Sequence, residues 1–306
     1  MLNRKDLLGI RDLSKEEIMM ILERAEGMKS IVLGNAPKRN DLNGETMITL
    51  FYENSTRTRM AFTAAGKYMG ANVLDLGVAT SSVKKGETLV DTGITLDRMG
   101  TEFMVLRHSM SGAPHLLAKN VKASVINAGD GANEHPTQAL LDFYTIYEKK
   151  GGFKNLKVTI IGDIAHSRVA RSNVFGLTKL GAKVTLAGPG TLTAKSMEAL
   201  GCTVTTDLKE AVKDADIVMA LRIQLERQKG GLFPNLREYS QIYGIDEEIF
   251  KYAKEDAILM HPAPVNRGIE LMPELIDSGV SVIDEQVTNG VAVRMAILEL
   301  LREGRA

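Results

Sequence analysis

No continuous run of about 18 apolar residues occurs in the 306-residue chain, which argues against a membrane-spanning helix. The opening segment, MLNRKDLLGIRDLS, has charges scattered through it and lacks the apolar core of a signal peptide. An excess of one charge is missing as well. Thirty-eight Lys and Arg oppose 38 Asp and Glu, so nothing draws the chain as a whole to nucleic acid or to a membrane surface. Any anion site must therefore come from local clustering. Cysteine is nearly absent: the single Cys202 excludes an intramolecular disulfide and suits a reducing compartment, which points to the cytoplasm. Between Gly201 and Thr203-Val204-Thr205 it reads as a small buried strand residue rather than a nucleophile.

Several chemistries are excluded in the same way. The five histidines show no zinc-ligand spacing and no acidic cluster surrounds them, so neither a metal nor another cofactor is expected. There is no G-x-x-x-x-G-K-[ST] loop. GDGANE lacks the third glycine of a dinucleotide fingerprint, and GPGTLT follows the wrong strand, which disfavours a nicotinamide enzyme. No G-x-S-x-G elbow offers a serine nucleophile. Internal repeats and low-complexity linkers are absent too.

What is present is a long alternation of strand and helix patterns. Hydrophobic residues at 44% and charged residues at 25% are ordinary for a globular protein, and the length suits two domains. Ser14 and Glu17 form a capping-box pattern before Ile18, Ile21, Leu22, Ala25 and Met28. Strand patterns follow at residues 47–52, 72–76, 103–106 and 123–127, and a helix is expected from Pro136 with Leu140, Leu141, Tyr144 and Tyr147 on one face. GGFKN at 151–155 marks a boundary between a domain at 1–150 and a second at 151–288. Beyond it, strands at 158–161 and 184–187 flank a helix ending at Gly181, a βαβ unit. Two more strands are expected at 217–221 and 257–260, and a last helix from about Gly290 to Leu301. The fold class that results is α/β with two doubly wound parallel-sheet domains.

In such sheets ligands bind beyond the carboxyl ends of the strands. Arg57, Arg107, His135, Arg168, Arg222 and the HPAP turn all fall just after predicted strands, which implies one cationic cleft fed from both halves. The segment NSTRTRM (54–60) sharpens that expectation. It places Arg57 and Arg59 at a helix start, where each cation opposes the macrodipole at a cost of roughly 0.3–1 kcal/mol. Ser55 or Thr56 is expected to cap the helix, but capping does not explain the arginines. A bound phosphate does, because N–H groups, hydroxyls and guanidinium donors would converge on it. Arg57 is assigned to the ligand; for Arg59 an ion pair with Glu53 or Glu87 is an equal account. In HPTQ, His135 and Gln138 occupy neighbouring positions at a helix start. A lone histidine there often serves only as a cap, yet the approach NAGDGAN lets backbone come close to a ligand. On composition alone, Lys84 and Lys85 in SSVKKGET read as solvated loop charges, and Arg222, Glu226 and Arg227 in LRIQLER as exposed strand-end pairs.

Taken in order, STRTR, SSVKKGET, LRHS, NAGDGANEHPTQALLD, GDIAHSRVARS, LRIQLER and HPAPVNRG closely resemble the catalytic chains of the aspartate carbamoyltransferase family. The resemblance runs from about Leu7 to Leu301. It implies transfer of a carbamoyl group from carbamoyl phosphate to L-aspartate, giving N-carbamoyl-L-aspartate and phosphate, in pyrimidine biosynthesis. It also implies a carbamoyl-phosphate domain, an aspartate domain, and a C-terminal helix (289–306) packing back on the first domain. Homotrimers with shared active sites are expected, and a regulatory chain or a dihydroorotase partner is left open.

By the resemblance, Ser55, Thr56, Arg57 and Thr58 hold the phosphate, and Thr58, Arg107 and His135 the carbamoyl oxygen. Gln138 and the carbonyls of Ala263 and Pro264 take the amino group. Arg168, Arg222 and Gln224 bind aspartate. Ser81 and Lys85 reach into the site of a neighbouring subunit. Domain closure on a bridging ligand is expected to order residues 228–243 about Gly230-Gly231. The related ornithine enzymes share STRTR but carry His-Cys-Leu-Pro where this chain has His261-Pro262-Ala263-Pro264. A non-catalytic phosphoanion-binding module would not need the second cationic set. Asn54 stands where family members often carry Ala or Pro, just outside the site.

Overall fold

Ser14 starts the first helix as a complete capping box: its side chain accepts from the Glu17 N–H while the Glu17 carboxylate takes the Ser14 N–H. That helix, α1 (Lys15–Val32), buries Ile18, Ile21, Leu22, Ala25, Met28 and Ile31 on one stripe, the 3.6-residue period expected. The computed structural model describes residues 2–77, 85–224 and 235–305. Ser81 and Lys84, Glu226 and Arg227, and the Gly230-Gly231 pair lie outside the described residues.

The chain divides into two compact units, Met1–Tyr144 with Thr288–Ala306, and Thr145–Val287. After α1, the first contains β1 (Thr46–Phe51), α2 (Thr56–Tyr68), β2 (Asn72–Leu76), α3 (Leu89–Arg98), β3 (Phe103–His108), α4 (Ala113–Ala118) and β4 (Ser124–Asp130), and then the start of α5 (Pro136–Lys150). Its four strands are all parallel in the order β2-β1-β3-β4. One layer of core packs Leu50, Leu106 and Val125 of the sheet against Leu117 and Ala113 of α4. The expected single apolar face of α5 is a correction: every residue from Ala139 to Ile146 is buried, Asp142 and Thr145 included. Over that stretch no polar face is left to read; only the last turn, Tyr147 to Lys150, is open.

In the second unit come β5 (Lys157–Ile161), α6 (Arg168–Leu180), β6 (Lys183–Ala187), a 3-10 turn (Lys195–Leu200), β7 (Thr203–Thr205), α7 (Leu208–Val212) and β8 (Ile217–Ala220). They are followed by α8 (Leu236–Tyr243), α9 (Glu247–Phe250), β9 (Ile258–Met260) and α10 (Pro273–Ile276). Five parallel strands run in the order β7-β6-β5-β8-β9, a doubly wound sheet. Gly181 ends α6 in the left-handed region at φ 95°, a cap that favours glycine. Cys202 is buried, just ahead of β7 rather than within it, and its Sγ lies 3.1 Å from the Met197 carbonyl oxygen. Burial pushes its thiol up, away from the reactive thiolate.

The last helix, α11 (Ile283–Glu303), begins well before the expected Gly290. Gly290 is interior because it is needed for packing: an added Cβ would lie 2.7 Å from Arg294 Nη1 and 3.1 Å from Leu141 Cδ2. Asp284 and Glu285 supply the acidic first turn that a glycine-based reading passes over. The C-terminal portion belongs to the first unit, where Glu299 and Glu303 accept from Arg24 of α1 at 2.5 and 2.8 Å. Among the described residues no helix is long and apolar enough to cross a membrane, and no group of His, Cys, Asp and Glu is placed to hold a metal.

Candidate active site

In the first unit the sheet order places three segments side by side at the carboxyl ends of β1, β3 and β4. Phe51 at the end of β1 is in register with Arg107 of β3, and the Tyr52 N–H donates to the Arg107 carbonyl at 2.9 Å. Ser55 is the N-cap of α2, but its side chain makes no capping hydrogen bond, which corrects the expected cap. Thr58 is buried, Arg57 and Thr56 are exposed, and the first turn of α2 holds no acidic residue. Arg59 pairs with neither Glu53 nor Glu87; its Nη1 lies 3.3 Å from Asp75 Oδ2 on β2.

Arg107 is held from two sides. Its Nε is 3.5 Å from Glu53 Oε2, and its Nη1 donates to the Ala128 carbonyl at 3.3 Å. His135 is buried immediately before α5, and its carbonyl accepts the N–H groups of Gln138 and Ala139 at 3.1 and 3.2 Å. The Gln138 Nε2 donates to Asp142 Oδ1 at 3.0 Å. Lys85 is exposed, ahead of α3.

The glycine-rich approach to His135 is organised by Asp130, which is fully buried. Its Oδ1 accepts from Asn127 Nδ2 at 2.8 Å and from the Glu134 N–H at 3.1 Å, while Oδ2 accepts the Gly112 N–H at 2.7 Å. Gly131 sits at φ 49°, and a Cβ there would lie 2.8 Å from the Ser111 nitrogen, so the turn closes only around glycine. Glu134 in turn accepts the N–H groups of Ile10 and Arg11 at 2.7 and 3.3 Å. Sequence reasoning missed these buried acids; the acidic residues inside GDGANE were their only signal.

The second unit repeats the arrangement at the carboxyl ends of β5, β8 and β9, again neighbours in the sheet. Arg168 is the first residue of α6 and is buried; Ser167 caps the helix by accepting the Ala170 N–H at 3.0 Å. As in α2, where Arg57 is the second residue, an arginine lies in the first turn and no acidic residue does. Gly162 lets the end of β5 approach β8: a Cβ on it would lie 2.7 Å from the Leu221 carbonyl oxygen. Arg222 and Gln224 follow directly, and Gln224 Nε2 reaches the His166 carbonyl at 3.5 Å. His166 is tied by Nδ1 to buried Asp163, 2.7 Å away.

Beyond β9, Ala263 has φ 51° and is joined to Pro264 by a cis peptide bond. The Ala263 N–H donates to His261 Nδ1 at 2.8 Å, so that nitrogen carries the lone pair and Nε2 the proton. Nε2 lies 3.4 Å from the buried Glu270, whose Oε1 also accepts the Asn266 N–H at 2.5 Å. The turn is thus anchored by Glu270 at Asn266, with the His261 ring beside the same carboxylate.

Comparison with known proteins agrees with this geometry. A family profile described as aspartate/ornithine carbamoyltransferase, carbamoyl-P binding domain, matches residues 5–148. A second, the Asp/Orn binding domain of the same family, matches residues 154–301. The aspartate carbamoyltransferase catalytic subunit of Acetivibrio thermocellus is 64% identical over 98% of this chain and 96% of its own length. That of Ruminiclostridium cellulolyticum is 63% identical over the same shares. The aspartate transcarbamoylase of Trypanosoma cruzi, solved with carbamoyl aspartate and phosphate, superimposes with a TM-score of 0.88 at 31% identity, covering 97% of this chain and 96% of that one. Ornithine carbamoyltransferase from Pyrococcus furiosus gives a TM-score of 0.86 at 33% identity over 96% of each chain. The chain belongs to the aspartate/ornithine carbamoyltransferase family, and within it to the aspartate carbamoyltransferase catalytic subunits.

Proposed function

We propose that this chain transfers the carbamoyl group of carbamoyl phosphate to the α-amino group of L-aspartate, releasing N-carbamoyl-L-aspartate and phosphate for pyrimidine synthesis. The observation that carries this reading is a pair of helices, α2 and α6, one in each unit, each with an arginine and no acidic residue in its first turn. Two substrates that are both anions need two such places. A phosphate-binding module would need only the first.

Ser55, Thr56, Arg57 and Thr58 take the phosphate through hydroxyls, guanidinium and the N–H groups at the start of α2. Attack by the aspartate amine puts negative charge on the former carbonyl oxygen. Thr58, Arg107 and His135 stabilise it as donors, a role a neutral imidazole can fill. Gln138 and the carbonyls of Ala263 and Pro264 accept the carbamoyl amino protons. Arg168, Arg222 and Gln224 hold the dicarboxylate. The departing phosphate accepts a proton from the amine, so the protein mainly positions and neutralises. Lys85 and Ser81 serve the site of an adjacent subunit in a cytoplasmic homotrimer. Ornithine, with an ammonium in place of the side-chain carboxylate, would face Arg168 and Arg222 with charge of the same sign.

Arg222→Ala tests the division of substrates. Losing a charge-assisted contact to a carboxylate is expected to raise the aspartate KM by about 10- to 100-fold while the KM for carbamoyl phosphate stays within about threefold. Steady-state kinetics with each substrate varied in turn would show it. A collapse in carbamoyl phosphate affinity instead would refute the assignment of Arg222 to aspartate.

A further inference from the structure

Gln138 and Asp142 sit one turn apart on α5, and both are buried. The Gln138 amide can in principle turn either end to its neighbour, since nitrogen and oxygen differ little in size. A carboxylate removes that freedom. It only accepts, so the end that lies 3.0 Å from Asp142 Oδ1 must be the Nε2 donor, and Oε1 is left as the acceptor at the other end.

Asp142 needs its charge for this, and it exerts a pull on a buried cation in the same unit. Arg294 of α11 is buried, stacked over the Phe62 ring at 5.0 Å and held by hydrogen bonds from Nη1 to the Gly290 carbonyl at 2.7 Å and from Nη2 to Thr137 Oγ1 at 3.5 Å. Burial pushes its guanidinium down to about 10, against the pull of Asp142, which still leaves it a cation at neutral pH.

We infer that Asp142 fixes the flip of the Gln138 amide so that the site selects an amino group on the acyl carbon, favouring carbamoyl phosphate over acyl phosphates with a methyl there. The inference rests on the reading above that Gln138 meets the carbamoyl amino group, and it adds the residue that makes this contact selective. An amide pinned with its oxygen towards the ligand accepts an N–H and leaves a methyl unrewarded. With the amide reversed, two donors would meet.

The test uses the full chain and three probes: carbamoyl phosphate, acetyl phosphate and inorganic phosphate, with dissociation constants from calorimetry. Wild type is expected to prefer carbamoyl over acetyl phosphate. In Asp142→Asn the new amide can donate as well as accept, so the end of Gln138 that faces the ligand is no longer fixed. The preference should fall by about tenfold or more, the loss lying in carbamoyl phosphate alone. The exchanged pair, Gln138→Glu with Asp142→Asn, keeps one carboxylate and one amide, pins an acceptor towards the ligand again, and should recover the preference.

Asp142→Asn protein with the wild-type preference overturns the inference, as does a parallel weakening of all three ligands, which marks a merely structural role. Should Asp142→Asn not fold, the exchanged pair decides alone: preference restored supports the inference, and a folded pair without preference overturns it. A wild-type protein that does not distinguish the two acyl phosphates refutes the reading of Gln138 itself, a separate outcome from failure of the variants.

Discussion

Arg107→Ala is expected to lower turnover by about 10²- to 10³-fold, the cost of removing one preorganised donor from a developing oxyanion. Its position argues for an effect of this size. Arg107 leaves the carboxyl end of β3 beside the start of α2 and the His135 turn, and its head group is fixed by Glu53 and by the Ala128 carbonyl. A guanidinium placed in advance needs no reorganisation when charge builds on the substrate. Arg107→Lys keeps the charge but loses the planar fork, and about a tenfold deficit is expected. Turnover within threefold of wild type for Arg107→Ala, measured at saturating concentrations of both substrates, would remove Arg107 from this role.

The second large effect concerns Lys85. It is exposed ahead of α3, and among the described residues it makes no ion pair. If its ammonium completes the site of a neighbouring subunit, Lys85→Ala and Arg57→Ala should each abolish nearly all activity while leaving folded trimers. Mixed and reassembled, the two dead proteins should regain activity, because some interfaces join an intact Lys85 to an intact Arg57. Random assembly in equal amounts restores about one quarter of the sites. Mixed trimers as inactive as either parent would return Lys85 to its own subunit or to solvent.

The parts of the fold legible in the sequence are those with long periodic patterns. The stripe of α1, the apolar runs of β1, β3 and β5, and the glycine stop of α6 are local signals that the packed structure leaves intact. The short helices α4, α7, α9 and α10 were not legible from apolar period, because one turn or so carries too little pattern. Asp207 and Asp246, which cap α7 and α9, were the usable signs. Gly290 misled because a glycine required by close packing looks the same as one at a helix boundary.

At the site, the cationic residues stood out because they follow strands and oppose helix dipoles. Their carboxylate supports did not. Glu53, Asp130, Asp142, Asp163 and Glu270 act through ion pairs or hydrogen bonds to groups whose proximity only the folded chain creates. Ser55 shows the converse. Sequence offered Ser55 or Thr56 as the cap, and the structure leaves the Ser55 side chain without a capping bond.

The most direct test of the central claim is an assay of the purified chain with carbamoyl phosphate and either L-aspartate or L-ornithine, following phosphate release and the carbamoylated amino acid together. The account predicts phosphate and N-carbamoyl-L-aspartate in equal amounts, only when aspartate is present, with ornithine inert. Phosphate release that does not depend on aspartate, or carbamoylation of ornithine at a comparable rate, would contradict it.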